Sequence, residues 1–192
     1  EEIAVKLKSF VEGSWFESSA AGAELTDAVT GETVAEISSD GVDFTAMAEY
    51  ARHVGGTKLR EYTFHQRAEM LGALAKFLND KKPELYALST STGATRTDSW
   101  LDIDGGIGTL FVYSSKGRRE MPNDHVYIDG PPAVIGKEGT FIGQHIFVPF
   151  RGLALHINAF NFPCWGMLEK LGPSLLAGVP AIVKPASSTA YL

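Results

Sequence analysis

The residues best placed to do chemistry lie in the last forty positions. Asn161 follows the apolar run Gly152-Leu153-Ala154-Leu155-His156-Ile157-Asn158 and comes just before Pro163. At the end of a buried strand, its amide NH2 can donate to an oxygen that turns negative during a reaction; losing such a donor costs about 3 kcal/mol. The same amide can instead bond the loop backbone ahead of Pro163, as turn asparagines do. Lys184 ends a second apolar run, Pro180-Ala181-Ile182-Val183-Lys184. There an ammonium can meet a ribose or a phosphate, or simply lie in water. Cys164 follows Pro163 at an expected helix N-terminus, a place that can make a thiol reactive. A lone thiol needs a supporting base, so Cys164 reads as a small apolar residue packed in the first turn. His156, inside an apolar run, reads as a hydrogen-bonded core histidine, and Lys170 as a surface or structural lysine.

Composition narrows the classes. Cys164 is the single cysteine, which rules out an internal disulfide and a cysteine-based metal cluster. The five histidines show no i, i+4 pair that would suggest zinc. Seventeen basic against 23 acidic residues give a formal charge of -6, so nucleic acid and anionic membranes are not expected partners. A local basic pocket for a small anion remains compatible with that balance. At 44% hydrophobic and 21% charged, the 192 residues suit an ordinary globular chain with a real core. No apolar run reaches about 18 residues and no basic segment leads into an apolar one. The expectation is a reduced, cytoplasmic protein.

The elements that must carry these residues can be read from periodicity. Residues 6–40 alternate apolar and polar positions, as in Phe10-Val11-Glu12-Gly13-Ser14-Trp15-Phe16, with a turn over residues 27–32. Two or three short antiparallel strands are expected there. From Asp43 to about Gly117 the period is helical. Pro83 opens one helix that stops at Gly93, and Trp100, Ile103, Ile107, Leu110 and Phe111 mark another. That second helix contains Gly105, Gly106 and Gly108, each costing about 1 kcal/mol relative to alanine. Close packing against another helix is one reason to keep them. Residues 125–148 read as a β-hairpin with a long loop containing Gly130-Pro131-Pro132.

The last segment reads as strand, loop, helix and strand, with Pro163 as the first helical residue and Gly178 as the stop. Such a β-α-β unit builds dinucleotide-binding sheets, whose ligands sit beyond the carboxyl ends of the strands. Here those ends are residues 158–161 and 184–187. The Gly-x-Gly-x-x-Gly fingerprint is missing, so pattern alone reaches only the start of a parallel α/β domain.

Phe160-Asn161-Phe162-Pro163, Glu169-Lys170-Leu171-Gly172-Pro173-Ser174-Leu175, Ala177-Gly178 and Val183-Lys184-Pro185 stand in one register. This string of about 25 residues is far more specific than a lone motif, and it resembles the aldehyde dehydrogenase superfamily. The upstream turn and the Arg67-Ala68-Glu69-Met70-Leu71 helix follow the same order, so the resemblance covers essentially the whole chain. Ser91-Thr92-Gly93-Ala94-Thr95-Arg96, Asp102-Ile103-Asp104-Gly105-Gly106 and His156-Ile157-Asn158-Ala159 resemble one branch, the bifunctional ring-opening enzymes of phenylacetate degradation. The semialdehyde dehydrogenases of the benzoyl-CoA oxidation pathway are similar.

The resemblance implies an α/β fold: the N-terminal part of an aldehyde dehydrogenase, with residues 125–148 as an oligomerisation hairpin and 152–184 as the first β-α-β of the cofactor sheet. It implies oxidation of a CoA-linked semialdehyde with NADP (NAD being the alternative), and fusion to a hot-dog hydratase-like domain that hydrolyses oxepin-CoA. In that mechanism a cysteine thiolate attacks the carbonyl and Asn161 stabilises the oxyanion. Hydride passes to the nicotinamide, and a glutamate activates water against the thioester. Ile157, Asn158, Ala159, Phe160, Lys184 and Ser187 match the cofactor-lining positions. At Ser187, NAD-preferring relatives often carry a glutamate that would repel a 2′-phosphate. On physical grounds alone Ile157 and Phe160 read as core. Lys170 falls near the family's proton relay, and Cys164 is not at the nucleophile's position. Neither the nucleophile nor the general base is assignable in residues 1–192, so this segment alone is expected to be inactive and the complete protein a homo-oligomer. A scaffold or binding fragment without turnover is the reading from a different class.

Overall fold

The computed structural model describes residues 5–192. The first fifth of the chain is more divided than its alternation suggests. Strands β1 (Val5–Lys6), β2 (Ser9–Val11), β3 (Ser14–Phe16), β4 (Ala23–Thr26) and β5 (Thr33–Ile37) form two small sheets. β2 and β3 are an antiparallel hairpin, so the run from Phe10 to Phe16 reverses rather than continuing. The reversal is made by Glu12 and Gly13 at φ of +49° and +80°, the left-handed geometry that matches strand twist in two-residue turns. β4 and β5 pair antiparallel across the expected turn, where Asp27 Oδ1 accepts from the backbone of Val29 and Thr30. β1 pairs with β5 in parallel, against the expectation of antiparallel strands only.

The helical stretch is present throughout. α1 (Phe44–Tyr50) is capped by Asp43 and runs through a π-helical turn at Ala51–Gly55 into α2 (Gly56–Glu61). α3 (Phe64–Asp80) and α5 (Arg96–Arg119) each begin with a capping box, Thr63 with Gln66 and Thr95 with Asp98. Between them, α4 (Lys82–Ser89) opens on Pro83, and Gly93 ends the following turn at φ +80°. Phe64, Ala68, Leu71 and Ala75 of α3 meet Ile103, Ile107 and Leu110 of α5, and Leu168 and Leu176 of the next helix complete this core. Each large side chain buried there contributes about 1.5–3 kcal/mol. Trp100 and Phe111, expected on the same stripe, face solvent at 55% and 42% exposure, because the buried face of α5 is centred on Ser99, Ile103, Gly106, Leu110 and Ser114 and both aromatics lie at its margin.

β6 (Tyr127–Val134) and β7 (Ile142–Phe147) form the expected antiparallel hairpin, with one difference. Gly130-Pro131-Pro132 lies inside β6, where the register shifts between Asp129 and Ala133, and the connecting loop is residues 135–141. Prolines have no N–H to give a ladder, so they occupy the bulge, where none is needed.

The final unit is β8 (Ala154–Ile157), α6 (Pro163–Leu176) and β9 (Ala181–Lys184), with β8 and β9 parallel. Gly178 turns the chain at φ +80° with its Cα against the Arg67 guanidinium, which is fully buried and stacked 4.5 Å from the Phe64 ring. Beyond β9 there is one 3-10 turn, Ser187–Thr189. Among the described residues no helix is long and apolar enough to cross a membrane.

Candidate functional site at the carboxyl ends of the parallel strands

The parallel register brings the two candidate segments together. Ile157 is the partner of Lys184, and the Asn158 amide donates to the Lys184 carbonyl at 3.1 Å, closing the last rung. Residues 158–161 and 184–187 therefore leave the sheet side by side at the same end. Ala159, Phe160 and Asn161 are exposed in the loop, as are Lys184 at the end of β9 and Ser187 beyond it. Lys184 Nζ lies 3.5 Å from Ser187 Oγ. That pair offers an ammonium and a hydroxyl, and contains no carboxylate.

Ile157 and Phe160 are 68% and 65% exposed, which corrects the expectation that they are core. Strand alternation explains Ile157: His156 and Asn158 turn toward α6, so Leu155 and Ile157 turn the other way. Phe160 is carried out on the loop.

The face toward α6 is polar at two positions. His156 Nε2 meets Ser174 Oγ at 3.2 Å, while its Nδ1 is buried with no partner among the described residues. Burial first, and the Lys170 charge second, hold this imidazole below its ordinary pKa. Asn158 is buried, and its Oδ1 accepts from Lys170 Nζ at 3.1 Å. Lys170 also donates to the Gly166 carbonyl, so it ties the end of β8 to the first turns of α6. The Asn158 Nδ2 is likewise buried without a partner among the described residues.

Cys164 behaves as its small, packed reading requires. It is buried in the helical core, and burial, followed by the nearby Asp102 charge, pushes its thiol up to about 12. A thiol in that state is not a nucleophile near neutral pH. The residue that sequence reasoning missed is Asp102. It is buried on α5, and its two oxygens accept the backbone N–H groups of Trp165 at 2.7 Å and Cys164 at 3.2 Å. The available signal was an acidic residue one turn before Gly106 and one turn after Ser99, on a stripe of small residues that lets a neighbouring helix approach, a place where a carboxylate must be paired.

α5 and α6 approach closely around this contact. A Cβ on Gly105 would stand 2.9 Å from the Trp165 ring, and the Phe162 and Trp165 rings pack edge to face at 6.3 Å between centroids. The loop bearing Asn161 is thus held by an aromatic pair on one side and a helix start on the other. An open cleft of about 400 Å³ lined by Tyr86, Thr90, Arg96 and Ser99 lies elsewhere, between α4 and the start of α5.

A helical layer followed by a parallel β-α-β unit, with an exposed asparagine at the strand-to-helix loop, is the start of an open parallel α/β fold, a class whose ligands sit at the carboxyl ends of the strands. The family model described as "Aldehyde dehydrogenase family" matches residues 15–192, and the chain belongs to that family. It is 43% identical over 189 residues to 3,4-dehydroadipyl-CoA semialdehyde dehydrogenase of Aromatoleum evansii, an alignment covering 98% of this chain and 36% of that protein. It is 26% identical to succinate-semialdehyde dehydrogenase [NADP(+)] 2 of Schizosaccharomyces pombe, over 96% of this chain and 36% of that one. Aldehyde dehydrogenase 21 of Physcomitrella patens, solved with the reaction product succinate, shares the fold at a TM-score of 0.80 and 19% identity, over 98% of this chain and 38% of that one. The chain therefore spans little more than a third of the length of these relatives.

Proposed function

We propose that this chain is the N-terminal portion of an NADP-dependent aldehyde dehydrogenase that oxidises a CoA-linked semialdehyde. The observation that carries the reading is the exposed Asn161 between β8 and α6, at the same sheet end as Lys184 and Ser187. In this reading the Asn161 amide donates to the aldehyde oxygen as it gains negative charge. Lys184 and Ser187 hold the ribose and its 2′-phosphate, a role suited to a pair with no carboxylate in it. Ile157, Asn158, Ala159 and Phe160 line the cofactor; the exposure of Ile157, Ala159 and Phe160 is consistent with a surface that a ligand covers, while the buried Asn158 side chain holds Lys170 behind it. NADP, when bound, supplies the hydride acceptor.

The nucleophile and general base belong, in the same proposal, to another part of the complete gene product, since the thiol of Cys164 is packed and protonated. The segment alone is accordingly inactive. The substrate is the aldehyde formed when oxepin-CoA is opened, with a hot-dog hydratase-like domain fused downstream, or else the semialdehyde of the benzoyl-CoA oxidation pathway. The 43% identical relative, named for 3,4-dehydroadipyl-CoA semialdehyde, supports an acyl-CoA aldehyde in either case. The β6–β7 hairpin exposes Ile128, Val134, Ile142, Ile146 and Phe147, an apolar surface that suits the oligomerisation role proposed for residues 125–148. The location proposed is cytoplasmic.

The test is aldehyde-dependent NADPH formation by the complete gene product. Asn161→Ala is expected to lower kcat by about 100- to 1000-fold with NADP binding retained. Full activity in that variant sinks the assignment, and absence of aldehyde-dependent NADPH formation in the parent protein sinks the whole reading.

A further inference from the structure

The first turn of α6 is capped from a different helix. Phe162, at the N-cap position, has no polar side chain to offer, and Pro163 has no N–H. The Gly166 N–H already bonds the Phe162 carbonyl at 2.9 Å. Two free N–H groups remain, those of Cys164 and Trp165, and the Asp102 carboxylate takes both, one on each oxygen. Helix starts leave such donors unsatisfied and favour negative charge beside them. Burying a carboxylate is costly unless it is hydrogen-bonded, so a carboxylate only 4% exposed fastens α5 to α6 at this one point. Gly106, one turn further along α5, lets the two backbones come close enough for the bonds to form.

Asn161 lies two residues before Pro163 in a loop that is otherwise exposed. We propose that Asp102 is a positioning residue for Asn161: by clamping the N-terminus of α6 against α5, it sets the direction in which the Asn161 amide is presented. This rests on the oxyanion role proposed for Asn161. Asp102 touches neither the reacting atoms nor the cofactor segments, and acts only through the helix start. The cap is two-pronged, so losing one bond lets the first turn pivot about the other. Misplacements of about 1 Å at a catalytic group can cost on the order of 100-fold in rate.

The experiment is a double-mutant cycle in the complete gene product, comparing the parent, Asp102→Asn, Asn161→Ala and the double variant. Asp102→Asn keeps the shape of the side chain but turns an NH2 toward one of the two amides. It is expected to lower kcat by about 10-fold or more with KM for NADP unchanged, and to cause no further loss once Asn161 is already alanine. Additive losses, or an undiminished kcat in Asp102→Asn, overturn the proposal. A full kcat in Asn161→Ala overturns the reading of Asn161 itself, and the positioning role with it. If Asp102→Asn does not fold, the cycle is run with Asp102→Glu, which retains the carboxylate on a longer stem; the same additivity criterion decides.

Discussion

The backbone of Trp165 lies against Gly106 so closely that a Cβ there would stand 3.0 Å from the Trp165 Cα and 3.1 Å from its amide nitrogen. Both neighbours are backbone atoms, so relief requires moving α6, together with the Asp102 cap on the same amide. Gly106→Ala is therefore expected to destabilise the protein by about 1–3 kcal/mol despite alanine's better helix propensity. At Gly108, nothing stands within 4 Å of a built Cβ. Gly108→Ala should stabilise by up to about 1 kcal/mol. Thermal unfolding of the two variants checks both signs, and equal shifts in one direction would show that the close approach is not what matters.

The buried, protonated Cys164 thiol gives a chemical prediction. In the folded protein near pH 8, Cys164 should resist iodoacetamide, and it should react at the ordinary rate once denaturant exposes it. Cys164→Ala should keep aldehyde-dependent NADPH formation in the complete gene product. Rapid labelling in the native state, measured by mass spectrometry, would contradict the packed assignment.

His156 links pH to stability. Its folded pKa is held below the ordinary 6.5 by burial and by Lys170, so below that value the unfolded chain binds the proton more readily than the folded one. Stability is then retained above pH 6.5 and lost as pH falls through it. The unfolding midpoint should drop between about pH 7.5 and about pH 5.5, and the drop should be smaller in His156→Gln. Identical pH profiles for the two proteins would assign the dependence to other groups.

Ser187 tests the cofactor preference. Ser187→Glu would set a carboxylate against the 2′-phosphate that Lys184 is proposed to hold. The expected result is a rise in KM for NADP of about 10-fold or more, while KM for NAD does not rise in parallel. An unchanged KM for NADP would move the 2′-phosphate away from this strand end.

The sequence determined most of the local structure and the family. Pro83, Pro163, Gly93 and Gly178 are signals that act within a few residues, and each marks the boundary it suggests. The Asn161-Phe162-Pro163 string and the motifs after it were legible for the same reason: a β-α-β unit is written in contiguous chain. Long-range pairing was decided only by the tertiary structure. The parallel β1–β5 ladder joins residues thirty apart, and nothing in either strand specifies its direction. Asp102 sits 62 residues from the amide it caps, so its role is invisible until α5 and α6 are packed together. The exposure of Ile157 and Phe160 has the same origin, because an apolar side chain states a preference for burial, while the surfaces available to cover it are set by the fold.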